Sequence, residues 1–206
     1  ERVIILGFGL IIDHFLGFNA VSGRGETFKS GGTVVKNVTG FDLSKLIAGS
    51  FGTLAVMTEV TFKVLPAPEK TRTVLVLGLS DQDAMKAMAK ALGSSHEVSG
   101  AAHLPKAAAA VSAVEYVSSA GGAVTAVRVE GPGPSVEHRC RGLTELWKDW
   151  GDVQELHSEN SGLFWREIRD VRPLDGGGSG GGANSDDLSS QVWRLSVPPT
   201  AGAGVA

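Results

Sequence analysis

A glycine-rich run in the first third of the sequence has the residue types needed to hold a ligand. Gly49, Gly52 and the small Ala55 leave bare backbone that a flat ring or a phosphate group can approach closely. Short hydroxyl donors accompany them at Thr39, Ser50 and Thr53. These groups offer hydrogen bonds rather than acid–base chemistry, and the sequence assigns no catalytic residue.

Two predicted elements position this run. A short helix over residues 42–48 begins at Asp42, whose carboxylate can cap exposed backbone N–H groups or accept from a sugar hydroxyl. A strand over residues 54–64 follows the glycines and would hold the donors rigidly. On spacing alone, a plain glycine-rich turn between helix and strand is favoured over a ligand site.

The pattern of the chain changes at Pro66-Ala67-Pro68, where proline ends the strand. Further strands are predicted before this point over residues 16–21 and 26–29. After it, strands are predicted over 73–79, 98–104, 123–130 and 152–157. One helix is predicted after Ser80, between the first two strands, and another over 135–150, between the last two. This β-α-β-β-α-β order is typical of a ferredoxin-like unit. Residues 106–122 have no clear pattern of helix or strand. Beyond the ferredoxin-like unit, a helix is predicted over 161–171, a flexible loop over 175–187 and a last strand over 191–197.

Composition excludes several classes of function. A net charge of −3 argues against a nucleic-acid partner. Cys140 is the only cysteine, which excludes an internal disulfide and a cysteine-based zinc or iron–sulfur site in this chain. The five histidines lack metal-ligand spacing, so no metal is expected. The apolar run over residues 3–12 is shorter than the ~20 residues that span a bilayer, which predicts a buried strand. A cytoplasmic protein fits these observations.

Two linked motifs carry a family resemblance. Residues 36–43 read Lys-Asn-x-Thr-Gly-aromatic-Asp-Leu, and residues 49–59 read Gly-Ser-x-Gly-Thr-Leu-small-x-x-Thr-Glu. The run resembles the second subdomain of the PCMH-type FAD-binding domain in the vanillyl-alcohol oxidase flavoprotein superfamily. Within that superfamily it is similar to the FAD-binding E subunit of bacterial glycolate oxidase, also called glycolate dehydrogenase. The likeness covers most of the chain from about residue 16 onward.

The resemblance implies an α+β fold, in which residues 1–66 are the second half of an FAD-binding domain and residues 67–206 an incomplete ferredoxin-like cap. Two positions depart from the pattern: Ala55 replaces a common glycine, and Phe51 stands where relatives often have glutamate. The residues that the resemblance assigns to FAD are Asn37, Thr39, Gly40, Asp42, Gly49, Ser50, Gly52, Thr53, Leu54, Ala55 and Val56.

The implied activity is oxidation of a small 2-hydroxy acid, glycolate to glyoxylate, with electrons passing through the flavin. The implied partners are a second flavoprotein subunit and an iron–sulfur subunit, which could bring the protein to the inner face of the cell membrane. Nothing before residue 16 resembles the loop that grips the FAD pyrophosphate, so the chain is expected to be a piece of the subunit and inactive alone. A scaffold subunit without flavin and a stand-alone flavoprotein oxidase are the alternatives.

Charged and aromatic residues outside these motifs could serve in binding or have only a structural role. Arg166, Arg169 and Arg172 recur every third residue and could hold a substrate carboxylate or an acidic partner. A solvated charged face that also carries Glu167 and Asp170 is favoured over this reading. Core packing is predicted for the tryptophans, which stand at Trp147, Trp150, Trp165 and Trp193.

Overall fold

The computed structural model describes residues 4–6, 14–33, 40–64, 66–174, 197 and 199–204. The strands are β1 (Ile4–Leu6), β2 (Phe15–Ser22), β3 (Thr27–Gly31), β4 (Ala55–Phe62), β5 (Lys70–Leu77), β6 (Gly100–Leu104), β7 (Val124–Gly131) and β8 (Val153–His157). The helices are α1 (Leu43–Ile47), α2 (Asp81–Leu92), α3 (Lys106–Ala110), α4 (Glu115–Ser118), α5 (Gly133–Trp147) and α6 (Ser158–Arg169), with 3-10 turns at Arg172–Leu174 and Pro199–Gly204. The predicted α+β class is confirmed.

The chain separates into two compact units, a smaller one of Phe8–Ala67 and a larger one of Glu1–Gly7 with Pro68–Ala206. The predicted boundary between residues 66 and 67 lies beside this junction. The assignment of residues 1–66 to FAD binding and of residues 67–206 to a cap stays a prediction. The predicted loop over 175–187 and the predicted last strand, except Val197, lie outside the described residues. Among the residues that are described, no helix is long and apolar enough to cross a membrane.

The smaller unit contains a three-stranded antiparallel sheet in the order β3-β2-β4. A tight turn joins β2 to β3, where the Ser22 N–H donates to the Glu26 carbonyl at 2.9 Å. Glycine is required at Gly31, because a Cβ atom there would lie 2.1 Å from the Leu16 carbonyl oxygen. Helix α1 packs on this sheet. The buried core is small and consists of Phe15, Phe18, Ala20, Ile47 and Ala55.

The larger unit contains a five-stranded antiparallel sheet in the order β1-β6-β7-β5-β8. The succession β5-α2-β6-β7-α5-β8 matches the predicted β-α-β-β-α-β unit. Strand β1 pairs with the outer edge of β6, with Ile5 opposite Ala102. Residues 4–6 therefore extend the sheet of the larger unit and lie within the strand predicted over residues 3–12. The other residues of that run lie outside the described ones.

Helices cover both faces of this sheet. One core lies between the sheet and helices α2 and α5, and it includes Val74 and Val76 of β5. The second core lies on the opposite face with α3, α4 and α6, and it includes Leu75 of the same strand. All three side chains are fully buried. A continuous apolar run, rather than an alternating one, is the expected pattern for a strand covered on both faces.

Local sequence sets the ends of α2 and the start of α5. The Ser80 hydroxyl accepts a hydrogen bond from the Asp83 N–H at 3.2 Å, and Gly93 follows the last residue of α2. The predicted start of that helix after Ser80 is confirmed. Helix α5 begins at Gly133, two residues before its predicted start, because Pro134 fits the first turn of a helix, where its missing N–H is not needed.

The connection over residues 106–122, which the sequence left unassigned, forms the short helices α3 and α4. The side chain of Glu167 on α6 holds this connection in place through two hydrogen bonds. One carboxylate oxygen accepts from the Ser112 hydroxyl and the other from the Ala113 N–H, both at 2.7 Å. Glu167 is only 6% exposed, so the prediction that it belongs to a solvated face of α6 is wrong. The buried oxygens need these donors, and the donors order the connection.

His103 of β6 is fully buried, and both of its ring nitrogens have hydrogen-bond partners. Nδ1 lies 2.9 Å from Oγ1 of Thr125 on β7, and Nε2 lies 3.1 Å from Oδ1 of Asp81 in the first turn of α2. An ionised carboxylate can only accept, so Nε2 carries a proton. Burial favours the neutral ring, in which Nδ1 has no proton and accepts from the threonine hydroxyl. The neutral imidazole therefore ties two strands to α2.

The burial of His103 predicts that the free energy of unfolding of the larger unit falls at acid pH. Burial lowers the pKa of His103, against the opposing effect of Asp81. Because the folded pKa lies below the unfolded one, the unfolded chain takes up the proton first as the pH falls. We expect the histidine contribution to the free energy of unfolding to be level above about pH 6.5 and to fall below it by up to about 1.4 kcal/mol per pH unit.

Urea unfolding between pH 7.5 and 5.5, followed by circular dichroism, measures this slope. His103→Gln keeps a side-chain amide that can donate to Asp81 but has no imidazole to protonate, so its unfolding free energy should change less over the same interval. Equal slopes in the two proteins would contradict the assignment.

Candidate functional site

The residues predicted to bind a cofactor follow one another from Gly40 to Val56, through helix α1 and the turn that leads into β4. Asn37 and Thr39 lie outside the described residues. Gly40 precedes the helix at φ +80°, in the left-handed region that favours glycine. Asp42 is the N-cap residue, but its side chain makes no capping hydrogen bond and instead lies 3.1 Å from Nζ of Lys45. Its carboxylate is exposed and already ion-paired.

Three residues of the turn after α1 have left-handed backbone conformations. Gly49, Phe51 and Gly52 have φ values of +83°, +52° and +77°. Two hydrogen bonds close the turn: the Ser50 N–H donates to the Ile47 carbonyl at 3.0 Å, and the Thr53 N–H donates to the Ser50 carbonyl at 3.0 Å. The Thr53 hydroxyl also donates to that carbonyl, at 2.7 Å, and its oxygen stays able to accept.

The turn presents backbone donors to open space. Within the described part of the chain, the N–H groups of Gly49, Phe51 and Gly52 have no acceptor. A Cβ atom built on either glycine would meet nothing within 4 Å. Successive backbone amides in left-handed and turn conformations form a concavity that binds anions and other electron-rich groups. Three backbone N–H groups of this turn, unpaired among the described residues, are therefore free to donate to a ligand.

The segment that contains this turn is rich in exposed apolar side chains. Residues 40–64 contain nine of the twelve large hydrophobic side chains that are exposed in the described residues. The nine are Phe41, Leu46, Phe51, Leu54, Val56, Met57, Val60, Phe62 and Val64. Ala55, in contrast, is 6% exposed and faces the core, so it can offer only its backbone. Exposed apolar surface of this extent marks a binding region more often than a free surface.

Ser44 is a residue that the sequence analysis missed. Its side chain is 1% exposed, and its hydroxyl is the one buried side-chain polar group of the described residues without a hydrogen-bond partner. Leaving such a group unpaired costs about 1–3 kcal/mol. The sequence did contain a signal for this residue. Ser44 lies one helical turn before the buried Ile47, on the apolar face of a short helix, where a polar side chain needs a hydrogen-bond partner.

Other polar groups of the described residues offer no second site. No cluster of histidine, cysteine, aspartate or glutamate side chains there could hold a metal ion. Burial raises the pKa of the Cys140 thiol to about 12, so the nucleophilic thiolate does not form at neutral pH. Arg169 forms two bonds to Asp170, at 2.7 and 3.1 Å, so a neighbouring carboxylate occupies it and the two side chains lie on an exposed face.

No protein-family model matches the chain. A curated relative, the glycolate oxidase subunit GlcE of Escherichia coli (strain K12), is 29% identical over 94% of this chain and 44% of its own length. The glycolate oxidase subunit GlcD of Bacillus subtilis (strain 168) is 39% identical over 35% of this chain and 15% of its own. The D-lactate dehydrogenase of Anaerostipes hadrus is 38% identical over 34% of this chain and 14% of its own. The chain thus spans less than half the length of these relatives.

Among solved structures, alkyldihydroxyacetonephosphate synthase has a TM-score of 0.58 and 19% identity over 81% of this chain and 33% of that one. At this identity the likeness shows the fold alone. An uncharacterized FAD-linked oxidoreductase of Mycobacterium tuberculosis (strain CDC 1551 / Oshkosh) is 39% identical over 42% of this chain and 19% of its own length. The sequence relatives confirm the resemblance predicted from the two motifs, which is to FAD-linked oxidoreductases and glycolate oxidase subunits.

Proposed function

We propose that this chain, a relative of the FAD-linked oxidoreductases, is part of an FAD-binding subunit that oxidises a 2-hydroxy acid, with glycolate converted to glyoxylate. The reaction class follows from the relatives, which include two glycolate oxidase subunits and a D-lactate dehydrogenase. Glycolate and D-lactate are both small 2-hydroxy acids, so the substrate class is shared even where the individual substrate differs. The choice of glycolate is the finer part of the proposal.

The turn from Gly49 to Gly52 is the observation that carries the cofactor assignment. Its unpaired amides point to no acceptor in the described residues and have open space beside them. The pyrophosphate and the carbonyl-bearing edge of a flavin ring are acceptors of the kind that such amides bind. We assign Gly49, Ser50, Gly52 and Thr53 to backbone and hydroxyl contacts with FAD.

The remaining assigned residues support the same ligand from either side of that turn. Gly40 leaves bare backbone ahead of α1, and Asp42 has an exposed carboxylate that can accept from a ribose hydroxyl. Leu54 and Val56 expose 51% and 65% of their surface, which suits contact with an apolar ring. Asn37 and Thr39, together with the backbone of Ala55, complete the proposed set.

The residues present fit a flavin dinucleotide, which needs both polar donors and apolar cover. When bound, FAD supplies the two-electron acceptor for oxidation of the hydroxy acid, and the protein supplies binding and orientation. This division of labour explains how residues 40–56 can serve such a reaction although none of them is assigned to proton transfer. The groups that this chain contributes hold the cofactor in place and limit its contact with water.

We further propose that the complete protein acts in a complex. Two of the relatives are named as subunits of glycolate oxidase, which supports the existence of partner chains. We infer a second flavoprotein subunit and an iron–sulfur subunit that receives the electrons, in agreement with the single buried cysteine of this chain. The complex would work in the cytoplasm, and its partners could place it at the inner face of the membrane.

The test is the visible absorption spectrum of the full-length protein, purified with and without its co-expressed partners. Flavin bands that bleach with glycolate only in the presence of partners would support the complex. D-lactate is the matched control substrate, because it differs from glycolate by one methyl group. A folded, colourless protein that also fails to bind added FAD would reject the cofactor assignment and leave the scaffold function. Bleaching of the isolated protein with an alcohol that has no carboxylate would instead favour a stand-alone oxidase.

A further inference from the structure

Phe51 combines two unfavourable features in the described structure. Its φ of +52° lies in the left-handed region, where a side chain crowds its own backbone and glycine does not. Its ring is 95% exposed, so the largest apolar group of the turn gains nothing from burial. A glycine at this position would avoid both penalties. Backbone strain at a ligand-facing turn is a recognised sign of function when a second observation accompanies it.

The surroundings of Phe51 define what could cover its ring. Gly49 and Gly52 leave the backbone bare on either side of it, with no atom within 4 Å of their Cβ positions. The amides of Phe51 and Gly52 are unpaired in the described residues. A planar group with an apolar face and hydrogen-bond acceptors at its edge fits this space.

We propose that Phe51 stacks on a planar ring of the bound flavin dinucleotide. The assignment rests on the proposed function, because it requires FAD at the turn from Gly49 to Gly52. Both ring systems of FAD, the isoalloxazine and the adenine, have an apolar face and hydrogen-bonding atoms at the edge. The stacked geometry recovers the exposed area of the phenyl ring, while the neighbouring amides bind the edge of the ligand.

The experiment measures binding of FAD, FMN and riboflavin to the full-length protein and its Phe51 variants by quenching of flavin fluorescence. Phe51→Gly relieves the backbone strain and removes the ring, so this variant should fold at least as well as the parent. We expect its affinity for FAD to fall by about 5- to 100-fold, the range found when a base loses its stacking partner. Phe51→Tyr and Phe51→Trp keep a flat ring and should stay within about threefold of the parent.

The choice of ligands distinguishes the two rings. If the isoalloxazine is stacked, Phe51→Gly weakens all three flavins, whereas stacking on the adenine weakens only FAD. Either result supports the proposal. Tyr116→Ala, which removes an exposed aromatic ring from the larger unit, is the matched control and should leave the affinities unchanged.

Two results would overturn the stacking role. Unchanged affinity in Phe51→Gly would show that nothing in the cofactor contacts the ring. Full affinity in Phe51→Leu would show that any apolar side chain serves, as expected for contact with a protein surface. Failure of the parent protein itself to bind any flavin is a different result, because it rejects the proposed function and the stacking role with it.

Discussion

Replacing Trp147 by alanine is expected to lower the free energy of unfolding of the larger unit by about 3–5 kcal/mol. Trp147 is fully buried at the end of α5, in the core between that helix, α2 and the sheet. Its indole Nε1 donates to the Ala87 carbonyl of α2 at 3.1 Å. Alanine would remove both the packing and this bond between the helices. Domains are commonly stable by only about 5–15 kcal/mol, so a large part of the unit's stability is at stake.

Guanidinium unfolding followed by circular dichroism measures the effect. Trp150→Ala is the matched control, because Trp150 is only partly buried and packs on the edge of the same core. Its loss should be clearly smaller. Trp147→Phe, which keeps a ring but loses the N–H donor, should fall between the parent and Trp147→Ala. A loss below about 1 kcal/mol in Trp147→Ala would mean that this core does not hold the unit together.

The helix that carries Trp147 shows what the sequence could predict. Within the helix predicted over 135–150, Val136, Cys140, Leu143 and Trp147 recur at the 3.6-residue period of one helical face, and all four side chains are buried. Trp150 continues the spacing but is only partly buried, because the helix ends at Trp147. Periodicity identifies the buried face of a long helix well, since burial of that face is what stabilises the helix.

The connection over residues 106–122, which the sequence left open between helix and loose connection, shows where local sequence does not decide the structure. Alanine and serine are compatible with helix, turn and coil alike, so local preference did not decide its structure. Two short helices form there because Ser112 and Ala113 donate to Glu167, more than fifty residues further along the chain. The same contact explains why the expected exposure of Glu167 was wrong. Information of this kind is non-local and has no periodic signal.

The candidate site was predictable in part. Glycine at positions 49 and 52 predicted bare backbone that a ligand can approach, and a Cβ built at either position meets nothing within 4 Å. The left-handed conformation of Phe51 was not predictable, because phenylalanine rarely adopts it. Asp42 had two possible local partners, the helix N–H groups and Lys45, and the sequence does not decide between a cap and an ion pair of similar energy.

Replacing Gly52 by valine is expected to weaken FAD binding by the full-length protein roughly 100-fold, equivalent to about 2.7 kcal/mol. A valine Cβ and its two methyl groups would fill the open space beside the unpaired amides, where the proposed ligand lies. The β-branched side chain also strains a residue held at φ +77°, which tilts those amides away from their present direction. Gly52→Ala, with a single methyl group, should weaken binding by about tenfold.

Gly25 provides the matched control for this experiment. It lies in the turn between β2 and β3 of the same unit, at φ +79°, and a Cβ there also meets nothing within 4 Å. Gly25→Val therefore imposes a similar backbone strain at a distance from the proposed cofactor residues in the sequence. Both variants should lose comparable stability, about 1–2 kcal/mol, because each forces a side chain into the left-handed region. Only Gly52→Val should lose affinity in a flavin titration. An equal loss of affinity in the two would attribute the effect to the stability of the unit, and the turn from Gly49 to Gly52 would then have no direct contact with the cofactor.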